Sequence, residues 1–291
     1  MQGMNGAIGV VGGGIMGSGI AEVAARAGFD VIVRECDERT VQAAQRRLNS
    51  SLARAVRAGK LSEHEQAAAL RRVAFTTDLA DLADREIVIE AVVEEEHEKV
   101  EIFSALGQLV SPDCLLASNT SSIPIMKLAA VTVHPERVIG MHFFNPVPVL
   151  PLVELVPSLL TAAETVERAE KFAAGALGKH TVLSKDRAGF VVNDLLIPYL
   201  LAAIRMVESG FASAEDVDTA MVAGCAHPMG PLALADLIGL DTTHAVAQSM
   251  YAEFKEPLYA PPPLLLRMVE AGLLGRKSGR GFFEYGDRVV A

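Results

Sequence analysis

The first half of the chain alternates short apolar runs with longer amphipathic segments. The apolar runs predict strands at residues 7–11, 30–34, 73–75, 87–92, 115–117 and 137–141. Helical spacing follows the glycine-rich turn at 12–17 to about residue 27, continues after residue 35 to about 70, and returns at 96–110. Strands that alternate with helices form a parallel, doubly wound sheet, so we expect an α/β domain.

A charged turn marks the predicted end of this domain. An apolar run at 151–156, a helical segment at 162–177 and a strand-like run at 181–184 precede Lys185, Asp186 and Arg187. Beyond the turn the pattern is wholly helical, and the last helix is expected at about 264–271. We therefore expect a first domain at residues 1–186 and a smaller all-α domain at 187–291.

The segment 190–207 in the helical half is apolar almost all round. It is long enough to raise the question of a transmembrane span. Four residues within it argue against one: Asn193, Asp194, Pro198 and Arg205. A helix that is hydrophobic on every face is buried on every face, and a small helical domain achieves this best by pairing with a second copy. We expect a homodimer formed through this half, with no membrane as partner.

Composition narrows the class of function. The chain has 291 residues, 51% of them hydrophobic, and a formal net charge of -10. Binders of nucleic acid or of membrane surfaces need an extended basic face, so we expect neither partner. Cys36, Cys114 and Cys225 are widely separated, which predicts neither a disulfide framework nor a metal site and fits a reducing cytoplasm. The glycine-rich N-terminus lacks the basic start of a signal peptide, so we expect a cytoplasmic protein.

The glycine turn and its surroundings predict a dinucleotide site. Gly12, Gly14 and Gly17 follow a strand and open a helix, and Glu35 ends the next strand. Such glycines allow a tight turn, a close approach of backbone N–H groups to a pyrophosphate, and close helix–strand packing, as in Rossmann-type domains. Glu35 would accept hydrogen bonds from ribose hydroxyls and repel a 2′-phosphate, which favours NAD over NADP. FAD, and a turn that binds nothing, are the other interpretations. Two basic neighbours keep NADP open as the minor alternative: Arg34 and Arg39.

One imidazole and one carboxylate stand inside an apolar, proline-stiffened run. His142 and Glu154 begin and end the segment HFFNPVPVLPLVE. An ionised group there is expensive to desolvate unless the two are paired. Such a pair supplies a general base and the partner that orients it. The alternative is a core histidine bonded to backbone, with Glu154 on the exposed end of a strand.

Four motifs together resemble the L-3-hydroxyacyl-CoA dehydrogenase family, and most closely its short-chain 3-hydroxybutyryl-CoA dehydrogenases. They are GGGIMGSGIA around the glycine turn, SNTSS at 118–122, HFFNP at 142–146 and GFVVN at 189–193. The resemblance runs from about residue 9 to 285 and includes GRKSGRGF at 275–282. It implies an NAD-dependent enzyme that oxidises a 3-hydroxyacyl-CoA to a 3-oxoacyl-CoA, or the reverse, in fatty acid or butanoate metabolism.

The resemblance also implies roles for individual residues. His142 would be the catalytic base and Glu154 the carboxylate that orients it. Ser121 and Asn193 would contact the reacting oxygen of the substrate. Ala188 departs from the family's pattern, in which proline is usual there, and this affects the helix entry that aims Asn193. The implied cofactor contacts are Gly12, Gly14, Ile15, Met16, Gly17, Glu35, Glu94, Lys99, Ser121, Asn145 and Lys277.

A basic run within this acidic chain is a candidate for the CoA site. Residues 41–60 carry five basic side chains and no acidic one. Such a run is usually a solvated helix face. Helical spacing nevertheless places Arg47, Arg54 and approximately Ser51 on one side and Arg57 with Lys60 on another, so the run offers two directions of contact to phosphates. The family's CoA contacts resemble this region, with Ser51 the best match. The predicted substrate contacts are Ser51, Arg54, Arg57, Lys60, Ser121 and Asn193.

Each motif also has a structural interpretation. Ser121 and Ser122 would cap the following helix, and Asn119 would form an Asx turn. Asn193 would bond within a buried helix, and Lys277 would be an ordinary surface lysine. Two other functions stay open: a related hydroxyacid or sugar-acid dehydrogenase without a CoA patch, and a non-catalytic NAD-binding scaffold or sensor.

Overall fold

The computed structural model describes residues 6–286. The chain divides into two units between Arg187 and Ala188, next to the charged turn after which a second domain is predicted. The first unit is α/β and the second is helical.

The first unit is built on one eight-stranded sheet. Its strand order is β3-β2-β1-β4-β5-β6-β7-β8. The strands are β1 (Ala7–Val11), β2 (Asp30–Arg34), β3 (Val73–Thr76), β4 (Ile87–Glu90), β5 (Leu115–Ser118), β6 (Val138–Phe143), β7 (Leu152–Pro157) and β8 (His180–Leu183). The helices are α1 (Ile15–Arg26), α2 (Glu38–Arg57), α3 (Glu63–Arg71), α4 (Glu96–Leu109), α5 (Ile125–Ala129) and α6 (Ala163–Glu170), which continues as a π-helical turn at Lys171–Ala176.

Two strands, β7 and β8, depart from the expected all-parallel sheet, because they run opposite to the other six. β7 is antiparallel to β6, and β8 is parallel to β7. Only residues 144–151 connect β6 to β7. A parallel crossover needs a dozen or more residues, so this connection can only return the chain in the opposite direction.

The helical pattern after residue 35 forms two helices, α2 and α3. Each has a capping box at its start, from Asp37 and Thr40 in α2 and from Ser62 and Glu65 in α3. Gly59 lies between them with a φ of +67°, a conformation that ends α2. The basic run at 41–60 therefore covers most of α2 and the turn that follows it.

The core of the first unit lies between the sheet and its helices. The β1, β4, β5 and β6 runs are fully buried at most positions, as parallel strands covered on both faces require. Phe29 and Phe172 meet edge to face with centroids 5.4 Å apart, which packs the end of α1 against the π-helical turn.

The second unit is a bundle of helices with its own core. The helices are α7 (Val192–Glu208), α8 (Ala214–Cys225), α9 (Pro231–Ile238), α10 (Leu240–Phe254) and α11 (Pro263–Glu270). Buried Leu200, Leu201 and Ile204 of α7 pack in this core with Leu232 and Met250. Asp236 of α9 holds the turn after the last helix, because its carboxylate accepts hydrogen bonds from the backbone N–H of residues 282 and 283 and from a tyrosine hydroxyl.

Helix α7 is buried on one face rather than on all. Leu195 is 72% exposed and Met206 is 38% exposed, opposite the buried face. The expectation of burial on every face is thus not met within one copy of the chain. Across residues 6–286, no helix combines the length and apolarity that crossing a membrane requires.

Candidate active site

Strands β6 and β7 bring His142 and Glu154 together. The two residues oppose each other directly in the antiparallel register, so their side chains leave the same face of the sheet. His142 Nδ1 and Glu154 Oε2 are 2.8 Å apart. The side chains are 6% and 0% exposed, respectively. Burying the Glu154 carboxylate in apolar surroundings is costly, and a partner at this distance offsets that cost.

The other nitrogen of the His142 ring meets a serine. Ser121 Oγ lies 3.0 Å from His142 Nε2. When Nδ1 carries the proton and donates to Glu154, Nε2 is an acceptor and the Ser121 hydroxyl donates to it. The Phe144 ring, with its centroid 4.6 Å from that of His142, packs against the imidazole. Glu154, His142 and Ser121 therefore form one continuous hydrogen-bonded chain.

Asn119 fixes the loop after β5 to the end of β6. Its Oδ1 accepts a hydrogen bond of 2.9 Å from the backbone N–H of Phe143, the residue after His142. The sequence suggested only a local Asx turn for Asn119. The long-range bond was missed because it depends on β5 and β6 being neighbours, and its one sequence signal is a polar residue directly after a buried strand.

Glu94 gathers the donors of the loop that carries Ser121. Its Oε1 accepts from Thr120 Oγ1 at 2.5 Å, from the Ser121 N–H at 2.9 Å, and from the N–H and Oγ of Ser122 at 3.1 and 3.0 Å. Burial acts to raise the pKa of Glu94, but the Lys99 ammonium and these hydrogen bonds together hold that pKa below its usual value. An ionised Glu94 therefore holds the loop at neutral pH.

The glycine turn has the shape that a dinucleotide requires. Gly12 has a φ of +93°, a conformation that favours glycine. A Cβ on Gly17 would lie 1.8 Å from the carbonyl oxygen of Gly12, whereas one on Gly14 would meet nothing within 4 Å. The turn is thus packed tightly on the protein side, while the side facing Gly14 is open. Helix α1 starts there without a side-chain cap, so its first N–H groups, including those of Ile15 and Met16, suit a phosphate group.

Glu35 lies beside this turn, at the end of β2. Its Oε1 accepts a 2.7 Å hydrogen bond from the N–H of Gly13. Arg47 of α2 donates to the Gly13 carbonyl at 3.2 Å, and so does the Ser18 hydroxyl at 2.7 Å. The second oxygen of the Glu35 carboxylate is the acceptor that a ribose hydroxyl would use. These residues fit an NAD adenosine half.

The remaining predicted cofactor contacts differ in burial and in their hydrogen-bond partners. Lys99 is 1% exposed, with Nζ 2.6 Å from Glu90 Oε1 and 3.3 Å from Glu94 Oε2. Asn145 is exposed and precedes a cis proline. In the second unit, Lys277 Nζ is 2.6 Å from an oxygen of Asp241.

Asn193 occupies the first turn of α7 in the second unit and is half-buried. It therefore belongs to the helical unit, whereas Ser121, His142 and Glu154 belong to the α/β unit.

The predicted CoA residues lie along α2 and just beyond it. Arg54, Arg57 and Lys60 are exposed, and Ser51 is half-buried. Lys60 lines a surface cavity of about 480 Å³ whose charged lining residues comprise four basic groups and one carboxylate. Those groups are Arg26, Lys60, Glu65, Arg72 and Lys179. A basic surface of this kind suits an anionic ligand.

Within residues 6–286, no three His, Cys, Asp or Glu side chains are placed to hold a metal ion.

In the comparison with known proteins, both units match domains of one enzyme family. Residues 7–187 match the NAD binding domain of 3-hydroxyacyl-CoA dehydrogenase, and residues 189–285 match the C-terminal domain of that enzyme. A 3-hydroxybutyryl-CoA dehydrogenase of Mycobacterium tuberculosis is 63% identical over 279 residues, which cover 96% of this chain and 98% of that protein.

Two solved structures are similar over nearly their whole length. The crystal structure of FadB2 from M. tuberculosis has a TM-score of 0.95 at 63% identity and covers 96% of this chain and 98% of its own. The crystal structure of the (S)-3-hydroxybutyryl-CoA dehydrogenase PaaH1 from Ralstonia eutropha has a TM-score of 0.91 at 45% identity and covers 97% and 99%. With both domains matched in order and the dinucleotide turn in place, the chain belongs to the 3-hydroxyacyl-CoA dehydrogenase family of NAD-binding oxidoreductases.

Proposed function

We propose that this NAD-dependent 3-hydroxyacyl-CoA dehydrogenase interconverts 3-hydroxybutyryl-CoA and acetoacetyl-CoA, with His142 and Glu154 as its acid/base pair. The four-carbon substrate is supported by the names of the relatives that match the full chain. The acid/base pair is supported by one observation above all, the hydrogen-bonded chain from Glu154 through His142 to Ser121. Fatty acid or butanoate metabolism is where such an interconversion belongs.

The proton in this reaction is handled by His142. NAD, when bound, supplies the two-electron acceptor for the oxidation of the hydroxyl-bearing carbon. His142 Nε2 takes the proton of the substrate hydroxyl in that direction and returns a proton to the carbonyl oxygen in the other. The 3.0 Å contact of Ser121 Oγ with Nε2 shows that this nitrogen is accessible to a hydrogen-bonding hydroxyl group. We propose that Ser121, together with Asn193, donates a hydrogen bond to the substrate oxygen as charge develops on it.

In this proposal Glu154 hydrogen-bonds to the imidazole of His142 and does not contact the substrate. Its carboxylate is fully buried and accepts from Nδ1, so it selects the tautomer in which Nε2 is unprotonated and accepts a hydrogen bond. When His142 takes up a proton, the buried negative charge stabilises the imidazolium, because the low local polarity strengthens the interaction. A neutral side chain in place of Glu154 would keep the geometry and lose this stabilisation.

The cofactor site we propose follows the predicted contacts. The pyrophosphate faces the turn from Gly12 to Gly17 and the start of α1, and Glu35 accepts from the adenosine ribose. The other contacts in the proposal are Glu94, Ser121, Asn145 and Lys277, with Lys99 acting through Glu94 because its own ammonium is buried.

The remaining parts of the proposal concern CoA, assembly and location. We propose that Ser51, Arg54, Arg57 and Lys60 contact the phosphates of CoA, that two copies pair through α7, and that the enzyme works in the cytoplasm. Leu195 and Met206, which are exposed on one side of α7, support the pairing, since a second copy would cover both.

A substrate panel tests the proposed function against its competitors. We expect the purified protein to oxidise NADH with acetoacetyl-CoA and to leave free acetoacetate and sugar acids nearly untouched. Turnover of free acids at a comparable kcat/KM would favour a hydroxyacid or sugar-acid dehydrogenase. NADH binding without turnover of any carbonyl substrate would favour a scaffold or sensor.

A further inference from the structure

Glu90 is a buried carboxylate to which neither the sequence motifs nor the proposed chemistry gives a task. It ends β4 in the middle of the sheet and is 0% exposed. Its Oε1 accepts from Lys99 Nζ at 2.6 Å and from the Val92 N–H at 2.7 Å, and its Oε2 accepts from Ser118 Oγ at 2.6 Å. A charge this deeply buried is costly unless every bond is made, and here the bonds are made.

Lys99 connects Glu90 to the loop of Ser121. The ammonium lies between two carboxylates, 2.6 Å from Glu90 and 3.3 Å from Glu94. The closer partner is Glu90, so Glu94 is only loosely engaged by Lys99. Glu94 Oε1 is thereby left to accept from Thr120, Ser121 and Ser122.

A second connection runs from Glu90 to the same loop through Ser118. The Ser118 hydroxyl donates to Glu90 Oε2 and accepts from the N–H of Thr120 at 3.2 Å. Both oxygens of Glu90 are therefore tied to the backbone that places Ser121, one directly through Ser118 and one through Lys99 and Glu94.

We infer that Glu90 is a positioning residue for the reaction. By neutralising Lys99 it leaves Glu94 free to hold the loop at 120–122, and this keeps Ser121 Oγ at the Nε2 nitrogen of His142. The inference rests on the proposed function, since it gives Glu90 importance only if Ser121 and His142 act in turnover.

The physical reason is the charge count in a triad made of buried Glu90 and Lys99 and the more exposed Glu94. Glu90, Lys99 and Glu94 carry two negative charges and one positive, a net charge of -1. If Glu90 became neutral, Glu94 would be the nearest remaining counter-charge of Lys99. Their 3.3 Å contact would then tighten, because opposite charges attract strongly at low local polarity. Glu94 would be drawn off the N–H groups of Ser121 and Ser122, and the serine would lose its place.

The alternative is that Glu90 merely anchors β4 to β5. In that case its loss would lower the melting temperature, and removing Lys99 as well would restore part of it, because no unpaired charge would stay buried. The kcat of the folded protein would then stay near that of the wild type in all three variants. The positioning role makes the opposite prediction for activity. Without both charges, the triad keeps a single negative charge on Glu94, as in the wild type, and Glu94 has no ammonium to draw it away.

The test compares Glu90→Gln, Lys99→Met and the double variant. Glutamine has the shape of glutamate, so its amide oxygen can keep the Lys99 and Val92 bonds and its amide nitrogen can donate to Ser118 Oγ. We expect Glu90→Gln to lower kcat with acetoacetyl-CoA roughly 10- to 100-fold, the cost of a misplaced catalytic group. We expect Lys99→Met to be equally slow, because it leaves the buried Glu90 carboxylate without its cation and facing the negative charge of Glu94.

The double variant decides between the two accounts. We expect its kcat to exceed that of either single variant by at least about fivefold, a strong departure from additivity for residues in contact. Melting temperatures are measured in parallel, so that rescue of kcat is seen even where stability has fallen. If Glu90→Gln alone does not fold, the inference still requires the double variant to be faster than Lys99→Met.

Glu98→Gln is the matched control, because Glu98 is an exposed carboxylate one residue before Lys99 on α4. It should leave kcat unchanged. A double variant no faster than the faster of the two single variants would overturn the inference, and so would a normal kcat in Glu90→Gln with only a raised KM for NADH. His142→Gln in the same assay distinguishes a failure of the inference about Glu90 from a failure of the proposed function, since full activity of His142→Gln would refute the proposed function itself.

Discussion

His142 and Glu154 are paired twice, once by their side chains and once by the strands that carry them. The side chains meet at 2.8 Å, and the residues are direct partners in the antiparallel register of β6 and β7. A one-residue slip of that register would turn either side chain to the other face of the sheet. The geometry of the pair is therefore set by the sheet rather than by a flexible loop.

Cofactor choice should depend on Glu35. Glu35→Ser removes the charge that we expect to repel a 2′-phosphate, and it removes the acceptor for ribose hydroxyls. The ratio of kcat/KM for NADH to that for NADPH should fall at least tenfold, mainly because KM for NADH rises. Glu38→Ser, an exposed change at the start of α2, is the control. A wild type that already prefers NADPH would show that Glu35 has been assigned the wrong role.

The three cysteines should report the nucleotide site by their alkylation rates. Burial raises the pKa of Cys114 to about 11, so at pH 8 it is a protonated thiol that a reagent cannot reach. Cys36 and Cys225 are exposed, and thiolates are the reactive species. Native protein treated with iodoacetamide should therefore carry label at Cys36 and Cys225 only, as read by mass spectrometry.

NADH should change this labelling at one position. Cys36 directly follows Glu35, so bound NADH should slow its alkylation and leave the rate at Cys225 unchanged. Protection of Cys225 without protection of Cys36 would place the adenosine half elsewhere.

Pairing of two copies should be sensitive to the exposed side of α7. Leu195→Glu puts a charge on that side without touching the core, and we expect a dimeric wild type and a largely monomeric variant by light scattering. Leu159→Glu is the matched control, since Leu159 is an exposed leucine in the α/β unit. A dimer that survives Leu195→Glu but not Leu159→Glu would place the interface on the first unit.

Reversing the charge of the basic segment should weaken CoA binding selectively. Arg54→Glu combined with Lys60→Glu should raise KM for acetoacetyl-CoA several-fold, and more so at low salt, because the Debye length is then long. KM for NADH should barely change. Arg71→Glu, an exposed reversal at the end of α3, should have no such effect. Equal effects on both substrates would mean that the CoA tail lies on another surface.

Much of the first unit could be predicted from the sequence because its signals are local. Apolar runs, the glycine turn and Glu35 define the β1-α1-β2 unit by themselves. The direction of β7 was not anticipated, although the short connection after β6 was a usable signal. The sequence does carry a signal for the break between α2 and α3, in Gly59 and in the capping-box residues Ser62 and Glu65.

The site was predictable in part, for a similar reason. His142 and Glu154 drew attention because two ionisable groups stand in an apolar run. Asn119 predicts only a local Asx turn, and Glu90 has no predicted role, because their hydrogen bonds join strands that are neighbours only in the folded sheet. A Glu inside an apolar run, as Glu90 is in the run 87–92, signals a buried partner, but the run itself does not specify Lys99 as that partner.

The most direct test of the account is the turnover of His142→Gln and Glu154→Gln with acetoacetyl-CoA and NADH. Both variants keep the size and hydrogen-bonding shape of the originals, so NADH affinity and melting temperature serve as controls. We predict a loss of roughly 10²- to 10⁴-fold in kcat for His142→Gln, the usual contribution of a positioned general acid or base. Glu154→Gln should lose a similar factor, with NADH affinity unchanged in both. Near-normal kcat at neutral pH in either variant would contradict the central claim that this pair moves the proton.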